Sequence, residues 1–275
     1  MILKKCILYH NDCYKQGTHM TGDKPTGIIV HSTGANNPNL KRYMQPVKGD
    51  PDYDAIIADI GINQYGNHWN QSGVEKCVHA FIGKNSAGQI ETYQTLPWHY
   101  CPWGSGGGTK GSYNRNPTAR VQFEVHEDAK TDKAYFDAVW KEAAEFCAYI
   151  CKMYGLTTAQ ICSHKEAHDQ GMATNHGDPD YWMKAFGKDM NWFRGEVQKL
   201  LDGNTVEPVQ PEKTSATTAV TNTPGDTLNV RDGGVYTAVK IGALEHNSRV
   251  QVLESAPNGW KKVRLEGWVN GDYLK

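Results

Sequence analysis

The stretch that decides how the rest of the chain is interpreted is Ile161-Cys-Ser-His-Lys-Glu-Ala-His-Asp-Gln-Gly-Met-Ala-Thr-Asn-His-Gly-Asp178. Its imidazole and carboxylate side chains are His164, Glu166, His168, Asp169, His176 and Asp178. Packing alone does not require so many metal-type ligands in a segment that also carries glycine and asparagine. Zinc binds imidazole nitrogen and carboxylate oxygen, and catalytic zinc sites keep three protein ligands with a fourth position for water. The stretch therefore predicts part of a zinc site, with one more ligand supplied from elsewhere in the chain.

The best candidate for that further ligand is His31. It follows the apolar run Gly27-Ile-Ile-Val30 and precedes Ser32-Thr-Gly34, so it lies at the end of a predicted strand beside a loop. A histidine in that position can point into a cleft. We therefore expect His31 and His164 to bind the same metal ion.

His168 is the main rival to these ligands. It follows His164 by four residues, and on a helix the two imidazoles would face one metal ion. Glu166 does not occupy the position of the base in the HExxH motif, and Gly171 and Asn175 argue against a long helix. We interpret His168 as a neighbour of the site or as a solvent-facing residue.

A candidate catalytic carboxylate lies in the alternating segment 121–126. The apolar face of this predicted strand consists of Val121, Phe123 and Val125, and the polar face of Gln122, Glu124 and His126. A carboxylate in mid-strand opposite an apolar face is unusual, which makes Glu124 a candidate for chemistry. We expect His126 to face solvent or to lie next to the site.

The remaining hydrophobic patterns predict an α/β domain. Helical spacing of apolar residues predicts helices over 132–154 and 189–201. Strands are predicted at 27–31, 77–82 and 90–96, the last two as a hairpin, with one more possible at 6–9. Residues 49–73 are rich in loop-forming residues. Strands followed by packed helices are typical of α/β domains.

The segment Gly104-Ser-Gly-Gly-Gly-Thr-Lys-Gly111 invites comparison with a phosphate-binding loop but does not fit that motif. Thr109 precedes the lysine where glycine is required, and Gly111 follows it where a serine or threonine must bind magnesium. We expect a flexible lip of a cleft here.

The composition is that of a near-neutral globular chain. The 275 residues include 29 basic and 30 acidic residues, which gives no electrostatic argument for binding nucleic acid. No apolar run approaches the roughly 20 residues that span a bilayer, so we expect no membrane insertion. The apolar run near the N-terminus is too short for a secretory signal. We therefore expect the protein to be made in the cytoplasm and kept there until it is released.

The seven cysteines are odd in number and scattered, without a CxxC pair. We expect them to be reduced and structural. Cys101, among aromatic residues in Trp98-His-Tyr-Cys-Pro-Trp103, is the one that a cleft would most readily expose.

The composition changes after residue 203. Residues 204–217 are rich in proline, threonine and serine and lack aromatic residues, which is typical of an extended linker. The remainder contains short β-rich runs at 227–231, 235–241, 249–255, 260–265 and 267–269. This spacing predicts a small all-β barrel. The chain is thus divided into a domain at 1–203, a linker at 204–217 and a β domain at 218–275.

With these motifs in view, residues 27–201 resemble the zinc-dependent N-acetylmuramoyl-L-alanine amidases, whose fold is shared with peptidoglycan recognition proteins. The resemblance rests on Ile28-Ile-Val-His-Ser-Thr-Gly34, Val121-Gln-Phe-Glu-Val-His-Glu-Asp128, Ser163-His164 and Asn175-His-Gly-Asp178, in this order. It implies an α/β amidase domain with a mixed sheet flanked by helices. It also implies zinc ligands at His31, His164 and Asp178 and a catalytic carboxylate at Glu124. His176 stands where relatives often carry a lysine, and there it would face the developing oxyanion.

This resemblance implies hydrolysis of the lactyl amide between N-acetylmuramic acid and L-alanine of the stem peptide. Zinc lowers the pKa of its bound water and polarises the carbonyl, and Glu124 would take the water proton. The aromatic residues Trp69, Trp98 and Trp103 would stack on sugar rings of the glycan or serve in packing. Two alternatives stay open: a recognition protein that binds peptidoglycan without cutting it, and a zinc endopeptidase of the stem peptide.

Residues 218–275 resemble bacterial SH3-like wall-binding domains. The recurring pieces are Leu228-Asn-Val-Arg-Asp-Gly233, Asn258-Gly-Trp-Lys-Lys-Val263 and Gly267-Trp-Val269 with Tyr273-Leu274. An amidase with such a tail resembles a phage endolysin for a Gram-positive host, and a bacterial autolysin is the alternative. The implied partner is peptidoglycan of a Gram-positive wall.

Overall fold

The computed structural model describes residues 1, 3–203, 217–231, 233, 240–255 and 260–264. The contacts between residues divide the chain into two compact units, Met1–Gly203 and Asn204–Lys275. Among the described residues, no helix is both long enough and apolar enough to cross a membrane.

The first unit is built on a six-stranded mixed sheet. Its strands are β1 (Leu3–Lys5), β2 (Ile28–Ser32), β3 (Ala80–Lys84), β4 (Ile90–Gln94), β5 (Val121–Val125) and β6 (Ile161–Ser163). Their order across the sheet is β1-β4-β3-β5-β2-β6. Strands β3 and β4 pair antiparallel, as the predicted hairpin requires, and the other neighbouring pairs run parallel. The expected mixed sheet is confirmed.

Helices lie around this sheet. They are α1 (Asp12–Gln16), α2 (Tyr53–Ile60), α3 (Lys133–Tyr154), α4 (His164–Asp169), α5 (Asp180–Ala185) and α6 (Met190–Asp202). The longest, α3, begins after Asp132, whose side chain accepts a hydrogen bond from the Tyr135 N–H. It ends at Gly155, whose φ of 67° is left-handed and favours glycine. Helices α3 and α6 correspond to the two predicted helices.

The two faces of the sheet pack against different neighbours. One face packs against α3 and α6 in the main hydrophobic core, which includes Phe123 of β5. Ile29 of β2 belongs to a separate cluster. Because side chains alternate along a strand, Glu124 and His31 lie on this second face, away from α3. All five residues of β5 are buried, so both of its faces are covered.

One local prediction is wrong, and one helix was not predicted. Residues 49–73 are mostly loop, as expected, but they also contain α2, whose Ile56 and Ile60 are buried one helical turn apart. The first strand lies at Leu3–Lys5 rather than at 6–9, since these are the residues that pair in register with β4. An eight-residue helix is shorter than the window over which helical periodicity becomes a clear signal.

The second unit is all-β in its described residues. Its strands are β7 (Thr217–Val220), β8 (Leu228–Arg231), β9 (Lys240–Leu244), β10 (Arg249–Ser255) and β11 (Lys261–Arg264). Strand β10 pairs antiparallel with β7 and with β11, and β8 pairs antiparallel with β9. The all-β tail is confirmed, whereas its SH3-like barrel form stays a prediction.

Some tail predictions fall outside the described residues. The predicted runs at 227–231, 249–255 and 260–265 overlap β8, β10 and β11, and β7 begins at the last residue of the predicted linker. The run at 267–269 and most of the run at 235–241 lie outside the described part of the chain.

Candidate metal centre

The parallel pairing of β2 and β5 places a histidine beside a carboxylate. In the register of these strands, His31 lies opposite Glu124. Both side chains point away from α3, and both residues are buried, with 1% and 8% of their surface exposed. His31 and Glu124, which the sequence predicted on separate strands, are therefore neighbours.

The other neighbour of β2 is β6, which brings His164 to the same place. Val30 pairs with Ser163 in these strands, and His164 follows as the first residue of α4. The Ser163 side chain accepts from the Glu166 N–H, and the Glu166 side chain accepts from the Ser163 N–H in return. This capping box fixes the point at which the strand becomes a helix. The Nδ1 atoms of His31 and His164 lie 3.1 Å apart.

Asp178, in the loop before α5, completes the group. Its Oδ2 lies 3.2 Å from His31 Nδ1, and its Oδ1 lies 3.5 Å from His164 Nδ1. One ligand atom from each of the three residues lies within 4.8 Å of the others. Burial opposes ionisation of Asp178, but its interactions with His164 and His31 outweigh this and lower its pKa. Asp178 is therefore a carboxylate at neutral pH.

The outer nitrogen of each histidine ring is already engaged. His31 Nε2 lies 3.0 Å from Gln122 Oε1, and His164 Nε2 lies 3.3 Å from Thr174 Oγ1. An amide oxygen only accepts, so His31 donates its Nε2–H to Gln122, and Nδ1 is the nitrogen that faces Asp178. The Nδ1 atoms of the two rings and the Asp178 carboxylate lie close enough together for one cation to bind all three residues. The three residues fit zinc, which binds this set of donors.

Glu124 lies near this group and is itself buried. Among the described residues, no hydrogen-bond donor reaches its buried Oε2 atom. Burial raises the pKa of Glu124 well above its usual range, and the nearby carboxylates of Asp178 and Glu127 raise it further. A carboxylate with a raised pKa is suited to accept a proton during a reaction.

His176 borders the metal group on its solvent side. Its ring stacks on that of His164, with the centroids 4.7 Å apart and the planes at 13°. Its Nδ1 lies 3.8 Å from Asp178 Oδ1, and 62% of the side chain is exposed. A ligand in the cleft can therefore reach His176.

One cleft of about 1530 Å³ is lined by His31, Glu124, His164, His176 and Asp178. Trp69 and Trp103 also line it, whereas Trp98 is not part of the lining. Trp98 instead packs against Phe146 and stacks on His79, so the structure places it in the packing of the domain. The lining further includes the cationic residues Arg42, Lys76 and Arg115. These three were not among the predicted site residues, because isolated basic residues form no pattern.

The other polar candidates lie outside the metal group. His168 Nδ1 lies 3.2 Å from the Ala173 carbonyl oxygen, and His168 is not one of the three grouped residues. His126 is fully buried beside the rings of Tyr43 and Phe81, so it does not face solvent.

The cysteines are all free and buried, as expected. Cys101 lines the cleft, but its thiol donates to the His19 carbonyl at 3.7 Å and burial raises its pKa. Both features oppose the formation of a thiolate nucleophile.

A family model described as N-acetylmuramoyl-L-alanine amidase matches residues 21–181. This range covers more than half of the chain and includes the metal group and Glu124. The chain belongs to this family. Its first unit is therefore an amidase domain, and the protein is a hydrolase of the N-acetylmuramoyl-L-alanine amidase type. No curated protein matches the chain.

Solved structures of low sequence identity resemble the amidase domain. The Staphylococcus aureus hydrolase AmiA in complex with its ligand has 18% identity and a TM-score of 0.47, covering 75% of this chain and 87% of that chain. The PlyG catalytic domain has 18% identity and a TM-score of 0.45, with coverages of 76% and 98%. A mutant endolysin from Bacillus subtilis has 18% identity and a TM-score of 0.42, with coverages of 72% and 99%. The family assignment does not depend on these similarities.

Proposed function

We propose that this amidase is zinc-dependent and cleaves the amide bond between N-acetylmuramic acid and L-alanine of the peptidoglycan stem peptide. One observation carries the proposal: His31, His164 and Asp178 converge near the buried carboxylate of Glu124, within the residues that match the family. A recognition protein that binds without cutting would need neither the metal donors nor the carboxylate. The arrangement therefore favours the enzyme.

His31, His164 and Asp178 would hold the zinc ion, and three is the number of protein ligands that catalytic zinc sites keep. Zinc bound there would lower the pKa of a water molecule and polarise the scissile carbonyl. The protein itself would orient the ligands of the zinc ion. Gln122 and Thr174 hold the outer nitrogens of the two histidines, so the rings are oriented before metal or substrate binds.

Glu124 would act as the general base in this mechanism. It would take a proton from the attacking water and deliver it to the departing nitrogen of L-alanine. Its raised pKa suits the first step, because a more basic carboxylate takes a proton from water more readily. His176 would donate a hydrogen bond to the oxyanion that forms at the carbonyl, and its exposure to the cleft allows this.

The cleft supports a polymeric substrate. Its volume of about 1530 Å³ is larger than the roughly 300–1,000 Å³ of pockets for single small molecules. Trp69 and Trp103 line the cleft, where their side chains would contact the sugars of the glycan. We therefore propose that the glycan strand and the stem peptide both enter this cleft.

Mass spectrometry of the products from a soluble muropeptide tests the reaction. The proposal predicts a sugar fragment with a free lactyl carboxylate and an intact stem peptide that begins with L-alanine. A zinc endopeptidase would leave L-alanine attached to the sugar, and a glycosidase would create new reducing ends. An unchanged muropeptide that nevertheless binds the protein would indicate a recognition protein.

We further propose that the second unit holds the amidase domain at a Gram-positive cell wall, as in a phage endolysin or a bacterial autolysin. Its all-β pairing supports a small binding domain, and tethering raises the local concentration of enzyme at the wall. Residues 216–275 fused to a fluorescent reporter should label sensitive walls. If the fusion labels no wall that the full chain lyses, this role is wrong. Release from the cytoplasm of the producing cell stays a prediction.

A further inference from the structure

The glycine-rich segment 104–111 borders the same cleft as the metal group, because Gly104 and Gly106 line that cleft. Ser105 is fully buried. Gly104 passes so close to the sheet that a Cβ atom there would collide with Gln122 Oε1. One backbone N–H of the segment donates to the Gly171 carbonyl at 2.8 Å. The segment is therefore packed in place, and glycine at position 104 allows a close approach to the sheet.

Gln122 connects this segment to His31. Its Nε2 faces three acceptors: Ser105 Oγ at 3.1 Å, the Tyr113 carbonyl at 3.3 Å and Asn114 Oδ1 at 2.9 Å. Because a carbonyl only accepts, the amide nitrogen must face Tyr113, and this leaves Oε1 to accept from His31 Nε2 at 3.0 Å. Gln122 is fully buried. Its own contacts therefore determine which ring nitrogen of His31 carries the proton.

Thr174 makes a similar connection to His164. The Ser105 carbonyl accepts from both the Thr174 hydroxyl at 3.1 Å and the Thr174 N–H at 3.0 Å. A hydroxyl has a single proton, so Thr174 Oγ1 accepts from His164 Nε2 at 3.3 Å. Both histidines of the metal group are thus held through the same buried residue, Ser105.

We infer that Gln122 is a positioning residue that holds His31 with its proton on Nε2 and aims Nδ1 at the metal. Loss of such a partner typically weakens metal affinity or activity by about 10–100-fold, because the ring loses its fixed orientation and tautomer. The inference rests on the proposed zinc site and adds to it. Gln122 lies two residues before Glu124 and is not part of the cleft lining, so it acts through His31.

The test compares Gln122→Met with Gln94→Met in the full-length protein. Both glutamines are buried in strands of the same sheet, and Gln94 also donates to a carbonyl, that of Leu96 at 3.0 Å. Zinc affinity is measured by competition with a chelator, together with the melting temperature. Gln122→Met should bind zinc about 10–100-fold more weakly than the wild type. Gln94→Met should bind zinc as tightly as the wild type.

Gln122→Glu separates positioning from packing. The carboxylate still accepts from His31 Nε2, but it cannot donate to the Tyr113 carbonyl or to Asn114. This variant should therefore keep zinc affinity within about threefold of the wild type, because the partner of the ring is retained. It should melt at a lower temperature than the wild type, because a buried carboxylate would face acceptor oxygens.

The outcomes separate this inference from the proposed function. A wild type that binds one zinc ion and cleaves muropeptides, with Gln122→Met binding zinc as tightly as Gln94→Met, overturns the positioning role alone. A wild type that binds no zinc overturns both. If Gln122→Met does not fold, a folded Gln122→Glu that has lost zinc overturns the positioning role, and one that keeps zinc supports it.

Discussion

Glu124→Gln is expected to remove most of the turnover and to leave the metal group intact. Glutamine has nearly the shape of glutamate, but its amide cannot take a proton from water. No donor among the described residues reaches Oε2 of Glu124, so the substitution breaks no hydrogen bond at that atom. The three proposed zinc ligands are unchanged, and zinc binding should persist.

The expected magnitude follows from the environment of Glu124. A general base contributes about 10²–10⁴ in rate. At about 1.4 kcal/mol for each tenfold change, this corresponds to about 3–5 kcal/mol in the activation barrier. Stability should not fall, because the change removes a buried carboxyl flanked by the carboxylates of Asp178 and Glu127. The variant should therefore lose kcat without a loss in melting temperature.

Glu127→Gln is the matched control. Glu127 is also buried, but its Oε1 accepts from Ser32 Oγ at 2.6 Å, from the Gly34 N–H at 3.1 Å and from the Tyr181 hydroxyl. A neutral amide weakens these bonds, so this variant should lose about 1–3 kcal/mol of stability. It should keep kcat within about tenfold of the wild type, because it removes no proton acceptor from the reaction.

The assay is kcat on a soluble muropeptide, measured by chromatography and mass spectrometry, with zinc content and melting temperature measured on the same samples. A zinc-loaded Glu124→Gln protein that keeps more than about a tenth of the wild-type kcat would refute the base role. Loss of zinc in this variant would instead show that Glu124 helps to bind the metal.

Three further predictions concern the metal, acid stability and the tail. His164→Ala should abolish tight zinc binding and wall lysis, whereas His168→Ala should keep zinc; elemental analysis showing the reverse would overturn the ligand assignment. Burial lowers the pKa of His79 and of His126 to about 4, and an unfolded chain protonates histidine near pH 6.5. The free energy of unfolding should therefore fall as the pH drops from about 6.5 to about 4, by up to about 3 kcal/mol for each residue. Urea denaturation that gives the same free energy of unfolding at both pH values would contradict this. Residues 1–203 alone should cleave soluble muropeptides as the full chain does but lyse intact cells more weakly, and equal lysis would remove the targeting role of the tail.

The sequence predicted the central parts of the site because they follow simple periodic rules. An apolar run that ends at His31 and a strict alternation around Glu124 each identify a strand and its faces. The density of ligand-type residues before Asp178 has no packing explanation, so it indicated a metal. What the sequence alone did not show is the strand order, which makes β5 and β6 the two neighbours of β2.

The residues that were missed or misplaced depend on contacts between distant parts of the chain, which leave no periodic pattern in the sequence. Gln122 shares the face of Glu124, and this was the available signal, but its role depends on Ser105 from a distant loop. His126 was expected to face solvent or to lie next to the site, because alternation shows which residues share a face but not whether another layer covers that face. Trp98 was a substrate-contact candidate by residue type, and the structure packs it against Phe146.

Stepwise addition of zinc to metal-free protein, with release of the intact stem peptide from a soluble muropeptide as the readout, tests the central claim most directly. The proposed site of His31, His164 and Asp178 predicts that activity rises linearly and stops rising at one zinc ion per chain. His164→Ala should show no rise. Full activity in the metal-free protein, or a product that still carries L-alanine on the sugar, would contradict the proposal that this domain is a zinc amidase.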